Sequence, residues 1–132
     1  MYTRDQQYAL HAFEYVTAYK EKEKGDKERN QYGGMAHRLP VLIHSAGLAQ
    51  ALEFVNSRSG KKPPHKQLLT DLSKTIGYDS TGDLLEAVRQ APLTSYMQIT
   101  YQVRQALLWY KRYAQSILDV EDASVVDKED EA

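Results

Sequence analysis

Between Pro92 and Leu118 the chain reads PLTSYMQITYQVRQALLWYKRYAQSIL, its longest stretch of unbroken helical pattern. Leu93, Tyr96, Thr100, Val103, Leu107, Tyr110, Ala114 and Ile117 recur at alternating spacings of three and four, which puts them on one side of a helix. Pro92 suits the first helical position, where its missing N–H costs no bond, and the Gln, Ala, Leu and Arg that follow favour helix. An apolar stripe this long needs a core to face, so the rest of the chain is expected to fold around it. On the other side Tyr101, Trp109 and Tyr113 share a face with Arg112, flanked by Arg104 and Lys111. Two readings stand for that face. Aromatics interleaved with cations suit nucleic acid, while a central bundle helix also buries aromatics on a second face and lets its cations reach water. A core position is the expectation for Trp109.

Working outward, the 132 residues make one domain, long enough to bury a single core without disulfides or structural metal. The absence of cysteine excludes disulfide frameworks, thiolate zinc sites and cysteine nucleophiles. The N-terminal residues form no apolar signal core, and no run approaches the length of a membrane-spanning helix. A soluble cytoplasmic protein with no membrane contact is the expectation. The formal charge of −1 conceals an asymmetry: residues 119–132 hold seven of the chain's 18 acids and one of its 17 bases. Residues 1–118 therefore keep sixteen bases against eleven acids, a net of +5. The acidic segment lacks periodicity and reads as a solvated, disordered tail on a helical domain spanning 3–118. Shielding of the basic body and simple solubility are both open to it.

The remaining segments supply the helices that surround the stripe. Thr3 and Gln6 form a capping-box start, after which Tyr8, Ala12, Tyr15, Val16 and Tyr19 line one face of a helix running to about Lys24. Lys20 to Lys24 alternates charge as a solvated helix end does, and Gly25 is placed to take a left-handed cap. Asp26 would cap a second helix whose apolar positions, Tyr32 to Ala46, keep period through Pro40, which predicts one kinked helix. Gly33-Gly34 weakens it by about 1 kcal/mol per glycine, so its first turns could be a loop. Gly47 stops that helix, and Leu48, Ala51, Leu52 and Val55 start a short third one. A fourth (Leu68 to Ile76, closed by Gly77) and a fifth (capped at Ser80, with Leu84, Leu85 and Val88) complete the count. The fold class is all-α, a single compact domain of about six helices, bundle-like, with a long C-terminal helix.

Catalytic chemistry finds no pattern. His11, His37, His44 and His65 are scattered without the spacing that gathers metal ligands on one face, and Ser45-Ala46-Gly47 lacks a nucleophile elbow. No metal, no cofactor and no enzymatic activity are expected. The densest basic cluster is the linker of residues 56–64 with its flank, where Arg58, Lys61, Lys62 and Lys66 stand. Phosphate contact is one reading of that cluster, and an exposed lysine loop of no consequence is the other. With Arg38, Arg104, Lys111 and Arg112 these residues form the RNA-proximal candidates.

Two stretches carry a resemblance. Leu39-Pro40-Val41-Leu42-Ile43-His44-Ser45-Ala46-Gly47-Leu48-Ala49-Gln50-Ala51-Leu52-Glu53-Phe54, a helix, a Gly corner and a Gly-Leu-Ala-Gln-Ala-Leu start, resembles the small helical subunit, the fifth of the Cmr proteins, of type III-B CRISPR effector complexes. Leu107-Leu108-Trp109-Tyr110-Lys111-Arg112-Tyr113-Ala114 is similar to that family's final helix, and element order agrees over about residues 3 to 118. Gly33-Gly34 departs from the continuous helix expected there, and the acidic tail lies outside the resemblance. The resemblance implies a non-catalytic subunit that stacks on copies of itself and on other Cmr-type subunits, lining the groove where guide RNA pairs with target RNA in antiviral defence. RNA cleavage in such complexes belongs to other subunits. A protein-only oligomerisation adaptor remains the alternative. A DNA-binding regulator is disfavoured, because the helix after Gly47 offers few groove-reading polar side chains beyond Gln50 and carries Glu53.

Overall fold

The computed structural model describes residues 1–123, and the rest of the acidic tail lies outside the described residues. Six helices follow in order: α1 (Arg4–Glu21), α2 (Asp26–Ala46), α3 (Leu48–Arg58), α4 (Pro63–Thr75), α5 (Thr81–Gln90) and α6 (Leu93–Ser116). No strand occurs among the described residues. The longest helix, α6, packs against α1, α2 and α4; α3 bridges α2 and α4, and α5 rests on α3 and α4. The all-α bundle-like expectation and the long final helix both hold.

The core of α6 is formed by Ile99, Val103, Ala106, Leu107, Tyr110 and Ala114. Period alone picked out Val103, Leu107, Tyr110 and Ala114. It missed Ile99 and Ala106, and it placed in the stripe Leu93, which is 74% exposed. Pro92 is the N-cap of α6 and not its first residue. At α1 the Thr3 capping box forms in both directions, Gln6 N–H to Thr3 Oγ1 at 3.0 Å and Thr3 N–H to Gln6 Oε1 at 2.8 Å. The end of α1 differs from expectation: the helix stops at Glu21, the positive φ falls on Glu23 (53°), and Gly25 at φ −66° is the N-cap of α2, with Asp26 already inside that helix.

Gly33 and Gly34 are helical and buried within α2 rather than looped out. The reason lies at the far end of the chain. A Cβ on Gly33 would stand 2.7 Å from Cβ of Val120, so only glycine admits this approach. Val120 is 1% exposed, its amide donates to Ala114 O at 2.9 Å, and its carbonyl accepts from His37 Nε2 at 2.8 Å. The modest propensity cost of the glycine is offset by burying a valine, worth about 1.5 to 3 kcal/mol. Packing thus continues past Leu118 through Val120. Truncation after Leu118 should cost about 2 to 3 kcal/mol in denaturant unfolding. Truncation after Ala123 keeps Val120 and should leave the midpoint unchanged.

α2 runs as one helix through Pro40, as its period required. It ends at Gly47, whose φ of 89° only glycine adopts without strain. There the hydroxyl of Tyr96, on α6, accepts the N–H of Ala49 at 3.1 Å, so a side chain of the central helix caps the start of α3. Ser80 caps α5 by accepting the Asp83 N–H at 3.1 Å.

Candidate nucleic-acid interface

Two surfaces of the body gather several of its basic residues. The first is a cleft of about 470 Å³ between the α1–α2 corner and the start of α4. Lys22 and Lys24 come from the corner itself; Lys27, Glu28 and Gln31 come from α2, at a spacing that puts them on one face of that helix. Lys61, Lys62, Pro63, Pro64 and Gln67 complete the wall from the α3–α4 loop and the first turns of α4. Five lysines thus line a concavity with Glu28 as the one acid among its lining residues. Such a convergence raises the local potential for anions.

Beneath the cleft a buried polar cluster fixes its floor. The Tyr19 and Tyr32 rings stack at 4.3 Å, and the Tyr19 hydroxyl donates to Glu28 O at 3.1 Å. Tyr32, fully buried, donates to Asp71 Oδ2 at 2.7 Å, and Gln67 Nε2 donates to Asp71 Oδ1 at 2.8 Å. Thr75 and Tyr110 share a further hydrogen bond at 2.6 Å. Burial pushes the Asp71 carboxyl up to about 6, against the lowering pull of Tyr32, Gln67, Lys22 and Lys74. Burial and the neighbouring Asp71 hold the Tyr32 hydroxyl well above the ordinary tyrosine range.

The second surface is the outward face of α6, where Arg104, Lys111 and Arg112 are exposed beside Met97, Tyr101 and Leu108. A shallow groove of about 600 Å³ runs there, lined by Tyr96, Met97, Tyr101, Arg104 and Leu108 and reaching Pro40 of α2. It shares no residue with the lysine cleft. Trp109 is half-buried at the edge of the core: its indole donates to Asp5 Oδ1 at 3.0 Å and its ring stacks on Tyr113, which meets Phe13 edge-on.

The candidate residues read from sequence are thus dispersed. Lys61 and Lys62 enter the cleft, Lys66 lines a neighbouring recess with Lys74 and Asp79, and the Arg58 guanidinium lies over the Phe54 ring at 5.3 Å from its centroid. Arg38 is half-buried on α2. Lys22, Lys24 and Lys27 were missed. The signal available for Lys22 and Lys24 was the mixed-charge run ending α1, which reads equally well as a solvated helix end; Lys27, in α2, lies outside that run. No group of three or more metal-ligating side chains occurs among the described residues, and no helix among them is long and apolar enough to cross a membrane.

The family model described as CRISPR-associated protein (Cas_Cmr5) matches residues 4–117, which is nearly the whole helical body. The chain belongs to the Cas_Cmr5 family. A Cas_Cmr5 relative from Thermus thermophilus, described as CRISPR system Cmr subunit Cmr5, is 44% identical over 119 residues, spanning 90% of this chain and 99% of its own length. The X-ray structure of a CRISPR-associated Cmr5 family protein from the same organism superposes with a TM-score of 0.79 at 44% identity, covering 89% of this chain and 98% of that one. The Cas_Cmr5 match thus includes α1 to α6, with both basic surfaces, and stops before Val120 and the acidic tail.

Proposed function

We propose that this protein is a non-catalytic small subunit of a type III-B Cmr RNA-guided effector complex. In it the chain stacks with copies of itself and with other Cmr subunits along the groove that holds guide and target RNA, in the cytoplasm. Membership of the Cas_Cmr5 family over nearly the full helical body is the observation that carries this reading. The two surfaces divide the work. The lysine cleft suits phosphates, which are recognised by charge and carry no base information, so sequence is left to pairing between guide and target. The outward face of α6, with Met97, Tyr101 and Leu108 exposed around Arg104, suits protein neighbours, and the same feature supports the alternative of a protein-only adaptor.

Salt dependence separates the two readings. Neutralising Lys61 and Lys62 together should weaken association with RNA-loaded complex about equally for all RNA sequences. Each lost phosphate contact should reduce the log-log salt slope by about 0.7 to 0.9. Salt-insensitive assembly, unaltered by these changes, would favour the protein-only adaptor.

A further inference from the structure

The lysine cleft is lined by two glutamines and one glutamate as well as by lysines. Gln31 is only 6% exposed and lines the cleft. Gln67 is held in place. Its Nε2 donates to Asp71 Oδ1 at 2.8 Å, and an ionised carboxylate can only accept, so the orientation of the amide is set and Oε1 is left as an acceptor. Tyr32 secures Asp71 from the other side. Glu28 adds a further acceptor to the same walls. The Gln67 and Glu28 oxygens repel a phosphate oxygen and suit a hydroxyl donor, the Gln31 amide can accept from the same hydroxyl, and a hydroxyl beside a phosphate is what distinguishes ribose from deoxyribose.

We infer that the cleft selects RNA over DNA, the Gln31 and Gln67 amides bonding a ribose 2′-hydroxyl while the surrounding lysines hold the adjacent phosphates. This rests on the RNA-contact reading of the proposed function and adds a discrimination that lysines alone cannot provide, since both nucleic acids present the same phosphates. Asp71 is a positioning residue in this scheme, acting through Gln67.

The test uses the full chain with fluorescent eight-residue oligouridylate, its 2′-deoxy counterpart and its 2′-O-methyl counterpart, at low salt. The ribose form should bind about tenfold more tightly than the deoxy form, and the 2′-O-methyl form, which has lost the donor, should resemble the deoxy form. Gln31→Leu and Gln67→Leu should each cut the ribose preference to about twofold or less with deoxy affinity retained. Lys61→Ala with Lys62→Ala should weaken both forms equally. Gln31→Leu leaves the bonds of Asp71 intact, so it remains informative if Gln67→Leu unfolds. Equal affinity of the wild-type chain for the ribose and deoxy forms overturns the inference and leaves RNA contact standing, as does a preference that survives both glutamine changes. Binding of neither form overturns the inference together with the RNA contact on which it rests.

Discussion

Leu107→Ala should destabilise the fold by about 2 to 5 kcal/mol. Leu107 is 0% exposed on the helix that α1, α2 and α4 all pack against, so the cavity left behind would be walled by several elements and could not collapse onto one of them. Leu108→Ala, one residue along but 57% exposed, is the control and should change stability by less than about 0.5 kcal/mol. Urea unfolding of the two variants measures the contrast directly. Equal effects would mean that the helix is rotated from the orientation described.

The second large effect is a pH dependence. Asp71 titrates near 6 in the fold against 3.8 ordinarily, because burial disfavours its charged form more than its partners favour it. A carboxyl raised on folding binds its proton more tightly in the native state. Its contribution to stability is therefore fully present below about 3.8, lost as pH rises, and absent above about 6. Between about pH 4.5 and about pH 7 the difference in unfolding free energy between the wild-type chain and Asp71→Asn should fall by roughly 2 kcal/mol. Parallel denaturant titrations of the two proteins cancel the other titrating groups. A difference that stays flat, or that grows with pH, would mean that Asp71 remains a low-pKa carboxylate stabilised by Tyr32, Gln67 and the nearby lysines.

The parts of the fold legible in the sequence were those set by local period and by caps. Val103, Leu107, Tyr110 and Ala114 were readable because a helix repeats its inner face, and Thr3, Ser80 and Gly47 were readable because helix ends need particular side chains or a positive φ. What escaped depends on contacts between segments distant in the chain. Gly33 looked like a helix breaker until Val120, far along the sequence, was found against it. Lys22 and Lys24 looked like the solvated end of one helix until the α3–α4 loop brought Lys61 and Lys62 opposite them. Asp71 gave no sign in a segment read by its leucines, because the phenol that donates to it sits on another helix. The helical pattern thus identified the scaffold, and the resemblance of Leu39 to Phe54 and Leu107 to Ala114 pointed to the family, while the shape of the site arose only from packing.

The central claim, that the lysine cleft meets RNA inside a Cmr assembly, is tested most directly by lysine footprinting. The assembled complex is acylated with and without bound target RNA, and each lysine's modification is read by mass spectrometry. Lys22, Lys24, Lys27, Lys61 and Lys62 should become protected together when RNA is loaded, while the exposed Lys20, outside the cleft, keeps its reactivity. Unchanged reactivity of all five cleft lysines on RNA loading would contradict the account.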